Sequence, residues 1–158
     1  MSVSEQVENF WRNFCAQNPH VDRDQPIQVW FFSNTTESAK ELAELVLAGK
    51  KTATASLVAV NEMKPESAPI DAGFSVVTDY DGNPQCIVQT TEIRRLPFDE
   101  VDAAFAFDEG EGDQSLDYWR EVHWNYFSRE AAELGLEFNE KSLIACERFR
   151  LLFPAVNE

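Results

Sequence analysis

The sequence of 158 residues predicts a single α+β domain, built as a mostly antiparallel β-barrel with helices around it. Six or so short segments are rich in β-branched and aromatic residues, which favours strands. A turn-forming run at Tyr80–Pro84, with Asp-Gly at its centre, is typical of a hairpin between two of them. Three or four other segments carry apolar residues at helical spacing. Together these features predict a closed barrel with external helices.

The predicted elements begin and end at turn-forming or capping residues. In chain order they are a helix at Ser4–Gln17, a strand at Ile27–Ser33, a helix at Thr36–Ala48, a short helix or loop at Leu57–Met63, strands at Phe74–Asp79 and Cys86–Ile93, helices at Glu100–Phe107 and Ser115–Leu134, and a strand at Leu143–Phe153. Ser4 and Asn34 are expected to cap the first two helices. Gly49 is expected to end the second helix with a left-handed backbone. Residues 1–26 are predicted to pack as a helix and loop on a barrel formed by residues 27–158.

The charge of the chain limits its partners. There are 28 acidic residues against 13 Lys and Arg, a formal net charge of −15. Broad, non-specific nucleic-acid binding depends on neutralising phosphates, so this charge argues against it and leaves room only for a small basic pocket. The three cysteines are far apart and fit no metal spacing, so free thiols in a reducing cytoplasm are expected. The sequence contains no signal-peptide pattern and no membrane-spanning run, which predicts a cytoplasmic protein without a membrane partner.

The densest cluster of lysines and hydroxyls lies at Gly49–Ser56. Lys50 is suited to the partial negative charge at the preceding helix end, with substrate binding as the alternative. Lys51 precedes a small, hydroxyl-rich run and is expected to be partly buried. Burial lowers the pKa of a lysine, and a neutral lysine can act as a base or nucleophile. Thr54 and Ser56 supply hydroxyls that such a base could activate.

A second cluster is acidic and interrupted by glycines, at Asp108–Asp113. Three interpretations stay open. The acids could complement the dipole of the helix that follows. They could hold a hard divalent cation, although the calcium-loop spacing is absent. Finally, Glu109 or Glu111 could reach Lys51 and Thr54 and carry a proton there, with Glu111 preferred.

The long predicted helix at Ser115–Leu134 carries an apolar face that includes His123. His123 is either a core histidine with satisfied hydrogen bonds or a catalytic group. Arg120 lies at the edge of this face and Trp124 lies off it. An arginine among aromatic residues could stack on a base or bind a phosphate, or it could form an ordinary surface ion pair.

Two blocks of the sequence resemble the ASCH domain family, a PUA-like β-barrel family associated with RNA. The first is Gly49-x-Lys51-x-x-Thr54 after a Leu-Ala helix end. The second runs from Phe105 to His123 and resembles the acidic loop and aromatic helix of one subfamily, here with the loop sequence EGEGD. The resemblance covers roughly Ile27 to Phe153. The fuller family signature has an arginine two residues beyond Thr54, where this chain has Ser56.

This resemblance implies a PUA-like fold and a small hydrolase. Some similar ASCH proteins are amidohydrolases that remove the acetyl group from N4-acetylcytidine. Carried over to this chain, Thr54 would be the nucleophile, neutral Lys51 its base, and Glu111 or Glu109 a proton relay and anchor, with no cofactor. Residues expected to contact a nucleoside or a local RNA feature are Lys50, Ser56, Arg120, His123 and Trp124.

Two other functions remain open from the sequence. One is an RNA-binding module without turnover, since PUA-like barrels often only bind RNA. The other is a ribonuclease in which the acids hold a divalent metal. The amidohydrolase interpretation has a geometric requirement: Lys51 and Thr54 are three residues apart, so a regular strand would place them on opposite faces. We therefore expect irregular backbone between them.

Overall fold

The computed structural model describes residues 4–33 and 35–154. Within these ranges the α-helices are α1 (Glu5–Gln17), α2 (Thr36–Leu47), α3 (Val58–Met63), α4 (Ala103–Glu109) and α5 (Leu116–Glu133). The strands are β1 (Gln28–Trp30), β2 (Ala53–Leu57), β3 (Phe74–Thr78), β4 (Pro84–Pro97) and β5 (Leu143–Phe153), and short 3₁₀ turns lie at Pro65–Ser67 and Phe98–Glu100. This composition confirms the predicted α+β class.

The strands form one curled sheet in the order β1-β3-β4-β5-β2. All neighbours are antiparallel except β1 and β3, which are parallel. The sheet is therefore mostly antiparallel, as predicted, but it curls into a half-barrel and does not close. In the described ranges the edge strands β1 and β2 do not pair with each other, and β1 is only three residues long. A cavity occupies the gap between these two edges.

Helices cover both faces of the sheet and create three apolar clusters. The first joins α3, α4 and α5 to β2 and β5. In the second, Trp11 and Phe14 of α1 pack on Val76 and Ile87 of the sheet. The third buries Phe32 and Val46 against Val88 and its neighbours. Burial of this apolar surface is the main stabilising term of the fold. No helix in the described ranges is long and apolar enough to cross a membrane.

Most predicted boundaries agree with the structure to within a few residues. Ser4 caps α1 as expected, and Gly49 and Gly135 end their helices with positive φ of 77° and 70°. The cap predicted at Asn34 lies outside the described residues; Thr35 accepts a hydrogen bond from the Ser38 amide at the start of α2. The three cysteines are buried free thiols, as expected.

One boundary changes the description of the acidic cluster. Asp102 accepts a hydrogen bond from the Phe105 amide, so α4 begins at Ala103 and not at Glu100 as predicted. The helix then continues to Glu109 and ends at Gly110, with φ of 72°. Glu109 therefore belongs to the last turn of a helix, whereas the prediction had assigned it to a loop.

Candidate functional site

The cavity between β1 and β2 has a volume of about 420 Å³. Its lining comes from the segment after β1, from β2, from the end of α4 and from α5. The lining residues used below are Trp30, Phe31, Phe32, Lys51, Thr54, Ser56, Glu66, Glu109, Glu111, His123, Tyr126 and Glu147. This size falls in the range of small-molecule sites, and aromatic side chains on one wall with several ionisable groups on the other are typical of them.

Lys51 lies in an irregular segment between α2 and β2. Its backbone amide donates to the Leu45 carbonyl at 3.0 Å, which folds the segment back over the end of α2. The side chain is 1% exposed, and its Nζ is 3.0 Å from Glu109 Oε1, 2.9 Å from Glu111 Oε2 and 3.2 Å from the Glu109 carbonyl oxygen. An ammonium has three hydrogens to donate, and these three acceptors match them.

The expected burial of Lys51 is thus found, but the expected direction of its pKa is wrong. Burial alone lowers the pKa, yet the charges and hydrogen bonds of Glu109 and Glu111 outweigh it and hold the pKa above its ordinary value. Lys51 is therefore a fixed cation in this arrangement and not a neutral base.

Glu109 is the buried centre of the charged network. Besides Lys51, its carboxylate accepts hydrogen bonds from Trp119 Nε1 and from His123 Nε2, the latter at 3.2 Å. Burial raises the pKa of this carboxyl, but the charges of Lys51 and His123 and the hydrogen bonds to it hold the pKa far below its usual range. Glu109 is ionised and fully engaged, so it anchors its neighbours.

His123 has acceptors at both ring nitrogens. Nδ1 lies 2.9 Å from the Trp119 carbonyl and Nε2 lies 3.2 Å from Glu109 Oε2, and the ring stacks on the Trp119 indole at 4.3 Å. Burial lowers its pKa, but the charge of Glu109 and the hydrogen bonds outweigh this and raise the pKa above the ordinary value. The geometry favours the imidazolium, since two acceptors require two N–H donors.

Glu111 is the more accessible of the two glutamates that contact Lys51. Its side chain is 18% exposed, against 2% for Glu109. Burial raises the pKa of Glu111, and the charge of Glu109 adds to this, so that the attraction of Lys51 only partly offsets them. Of the two carboxyls, Glu111 is the one that can exchange a proton with a molecule in the cavity.

Thr54 and Ser56 lie on the cavity face of β2. Ala53 and Leu57 are buried in the opposite core, and Ala55 packs against that core and also borders the cavity. Because Lys51 lies in the irregular segment before β2, it lines the same cavity as Thr54, which satisfies the requirement for irregular backbone. Ser56 Oγ lies 3.2 Å from Asn61 Oδ1.

Three predicted contact residues lie outside this cavity. Lys50 is exposed at the end of α2. Trp124 is 39% exposed and packs against Phe98 and Phe138, at centroid distances of 5.5 and 4.9 Å. Arg120 does not line the cavity, and its Nε is buried without a hydrogen bond in the described part of the chain.

A divalent metal fits poorly in the acidic cluster. Glu109, Glu111 and His123 offer ligand atoms within 4.8 Å of one another. However, the ammonium of Lys51 already lies between the two carboxylates, and His123 is held as a donor by both of its ring contacts. A metal ligand must present a lone pair, and a fixed cation repels an incoming metal ion.

Sequence reasoning missed Glu147 in β5, an ionisable residue of the cavity, as well as Glu66 and Tyr126. Glu147 is 8% exposed, lines the cavity, and accepts a hydrogen bond from Thr90 Oγ1 at 2.6 Å. The signal was present in the sequence: Glu147 is an acid within the otherwise apolar run Leu143–Phe149, where only Arg148 is also charged. A charged residue inside a buried strand is unusual unless it has a specific partner.

Comparison with known proteins agrees with this architecture. The family model of the ASCH domain matches residues 28–152. The crystal structure of an ASCH domain from Lactobacillus crispatus JV V101 has a TM-score of 0.86 and 34% sequence identity, over 96% of this chain and 97% of that chain. The crystal structure of a protein from Enterococcus faecalis V583 has a TM-score of 0.83 and 33% identity, over 93% of this chain and 88% of that chain. No curated protein matches the chain. The shared fold confirms the predicted PUA-like architecture.

Proposed function

Since the chain belongs to the ASCH domain family, a PUA-like family associated with RNA, we propose that it is a small hydrolase that cleaves the acetyl amide of a modified nucleoside, as in N4-acetylcytidine. The observation that carries this proposal is the meeting of Lys51, Thr54 and Glu111 in one cavity of about 420 Å³. The resemblance to similar amidohydrolases assigns the catalytic positions to Lys51, Thr54 and one of Glu109 or Glu111, and we assign the proton relay to Glu111 because it is the more accessible of the two.

The cavity suits a neutral, flat substrate. Trp30, Phe31 and Phe32 line one wall and offer aromatic faces for a nucleobase. A nucleoside carries no phosphate, so it encounters little repulsion from a protein with a net charge of −15. Ser56 and His123 also line the cavity and are the polar groups that we assign to substrate contact.

In this proposal Thr54 attacks the carbonyl carbon of the acetyl amide. Lys51 contributes its positive charge, which favours the negative charge that develops on the carbonyl oxygen. The fixed ammonium replaces the neutral base that we expected from the sequence, because its pKa is raised and its three hydrogens are engaged. Glu109 anchors Lys51, and Glu111 relays protons to the cavity.

The test is chromatographic. Purified protein is incubated with N4-acetylcytidine, and the release of cytidine is followed for wild type, Thr54→Val and Thr91→Val. Thr54→Val removes only the proposed nucleophile at nearly constant volume, and Thr91 is an exposed threonine of β4. We expect cytidine from wild type and Thr91→Val and background levels from Thr54→Val. Absence of cytidine with wild type would show that the substrate assignment is wrong.

The second candidate is RNA binding without turnover. It is favoured by the association of the family with RNA and by Trp124, which is exposed and could stack on an unpaired base. The strongly acidic composition opposes it, because most of the affinity for RNA comes from phosphate contacts.

A further inference from the structure

Glu147 and Thr54 are direct partners across the pairing of β5 and β2. The register places Thr54 opposite Glu147 in this antiparallel pair. Residues in such positions project from the same face of the sheet, with Cβ atoms about 4.5–5.5 Å apart. Both side chains line the same cavity. The carboxyl of Glu147 is therefore the acidic group nearest to Thr54 along the sheet.

One oxygen of Glu147 is fixed and the other is available. Thr90 Oγ1 donates to Oε2 at 2.6 Å. Within the described residues Oε1 has no hydrogen bond, and it is not among the fully buried polar atoms that lack a partner. It therefore keeps some accessible surface, and Glu147 lines the cavity.

Three other ionisable groups of the cavity are held by partners. Lys51 is bound to three acceptors, and Glu109 accepts from Lys51, Trp119 and His123. His123 is held between Glu109 and the Trp119 carbonyl. Glu111 contacts Lys51 through Oε2 alone, but of the acids that line the cavity Glu147 is the one that pairs with Thr54 across the sheet.

We propose that Glu147 is the general base that activates Thr54, and that it later returns the proton to the leaving nitrogen. This inference rests on the proposed function and assigns to Glu147 the proton transfer at Thr54 that the proposed function gave to Glu111. Thr90 is a positioning residue, because it acts only by fixing the Glu147 carboxylate.

The proton balance of the reaction is closed by one carboxylate. Glu147 takes the hydroxyl proton as Thr54 Oγ1 bonds to the acetyl carbon. The tetrahedral intermediate then breaks its bond to the exocyclic nitrogen, and Glu147 donates its proton to that nitrogen, releasing cytidine. A water molecule attacks the resulting ester while Glu147 takes one of its protons. Acetic acid leaves as the bond to Thr54 breaks and Glu147 returns the proton to Thr54 Oγ1, and the acid then loses its own proton to solvent as acetate.

The surroundings of Glu147 move its titration to higher pH than that of an exposed glutamate. Burial raises the pKa of Glu147, and the hydrogen bond from Thr90 partly offsets this. The charged groups that share the cavity are Lys51 and His123 as cations and Glu66, Glu109 and Glu111 as acids. The Glu147 carboxylate must be ionised to act as a base, so activity rises with pH through its pKa.

The first test compares Glu147→Gln with Glu41→Gln. Both substitutions remove one negative charge, but Glu41 is an exposed residue of α2 that does not line the cavity. The amide oxygen of Glu147→Gln can still accept the hydrogen bond from Thr90. We expect Glu147→Gln to lower kcat by about 100-fold or more, with KM within a few-fold of wild type. Glu41→Gln is expected to retain the wild-type kcat. An unchanged kcat in Glu147→Gln, with turnover in wild type, would overturn the inference while the proposed function stands.

A second variant gives a readout that a structural role would not produce. Thr90→Val removes the hydrogen bond that stabilises ionised Glu147, which raises its pKa. We expect the acidic limb of the pH dependence of kcat to move to higher pH in Thr90→Val. A limb that stays at the wild-type position would contradict the assignment of this limb to Glu147.

A substrate-independent probe separates the two proposals. Wild type, Thr54→Val and Glu147→Gln are treated with p-nitrophenyl acetate, and acetylation of the peptide that carries Thr54 is measured by mass spectrometry. We expect acetylation of wild type, none in Thr54→Val, and a rate lowered by about 100-fold in Glu147→Gln. This result would support the inference even if N4-acetylcytidine were not a substrate. Equal rates in wild type and Glu147→Gln, or no acetylation of Thr54 in wild type, would refute it.

Discussion

Glu109 connects side chains from two segments that are far apart in the sequence. Lys51 comes from the segment before β2, while Trp119 and His123 come from α5, and all three donate to its carboxylate. A buried carboxylate is costly unless it is paired and hydrogen-bonded, and removing its charge leaves the partners uncompensated. The placement of these three side chains in the site therefore depends on one residue, Glu109.

Replacing this carboxylate should destabilise the protein. We expect Glu109→Gln to lower the free energy of unfolding by about 3–5 kcal/mol, because His123 would remain buried without its counter-charge and Lys51 would keep only one of its two carboxylate partners, Glu111. The measurement is urea denaturation at neutral pH. Glu92→Gln is the matched control, since Glu92 lies 3.6 Å from Arg148 in a partly exposed pair worth less than about 1 kcal/mol. Similar losses in the two variants would argue against the anchoring role of Glu109.

The protonation of His123 can be followed directly. Its folded pKa is raised, so its contribution to stability is fully present below the unfolded value of about 6.5 and is lost as pH rises through the folded value. We expect an NMR titration of the imidazole to give a midpoint above the ordinary histidine value. A midpoint at or below that value would mean that the ion pair with Glu109 does not control the ring.

Residue-level prediction from sequence succeeded for local properties and failed for non-local ones. The burial of Lys51 follows from the small apolar run after it. The direction of its pKa does not, because Glu109 and Glu111 lie 58 and 60 residues away. Glu147 was missed for the same reason, since its importance depends on the pairing of β5 with β2.

At the level of elements, the site depends on how α4 ends. Gly110 has a φ of 72°, and a Cβ at this position would lie 2.6 Å from the Lys50 carbonyl oxygen. The close approach allows the Thr52 amide to donate to the Asp108 carbonyl at 2.8 Å, which brings the end of α4 against the segment that carries Lys51. A glycine is therefore required here by both backbone conformation and space.

A pair of glycine variants tests this packing. We expect Gly110→Ala to lower the free energy of unfolding by roughly 2 kcal/mol or more, because a left-handed backbone and a backbone clash add together. Gly49 has a similar φ of 77° but nothing within 4 Å, so Gly49→Ala should cost only about 1 kcal/mol. Denaturation of both variants under the same conditions gives the difference. Equal losses would show that the contact of Gly110 with Lys50 is unimportant.

Element boundaries were predictable wherever a cap or a turn fixed them. The long strand at Leu143–Phe153 was predicted with the observed bounds, and the hairpin at Tyr80–Pro84 was placed correctly. The strand predicted at Ile27–Ser33 is shorter, since only Gln28–Trp30 pairs with β3. The following aromatic residues have high strand propensity, but they line the cavity instead of extending the sheet. The length of this strand is determined by which residues find a pairing partner in the folded sheet, and strand propensity carries no information about that.

For the whole molecule, an open sheet and a strong negative charge determine which ligands can bind. The half-barrel leaves a gap between β1 and β2, and the cavity with Thr54 and Glu147 lies in that gap. The net charge of −15 disfavours long polyanions. Fold class and family were predictable from patterns spread along the chain, whereas the gap itself depends on which strands pair.

The most direct measurement compares free N4-acetylcytidine with an RNA oligonucleotide that contains the same modified base. Release of cytidine and binding of the oligonucleotide are followed with wild-type protein at two salt concentrations. We expect the free nucleoside to be hydrolysed at rates nearly independent of salt and the oligonucleotide to be bound weakly. No hydrolysis of the nucleoside, together with tight oligonucleotide binding that falls steeply with salt, would contradict the hydrolase proposal and favour an RNA-binding module.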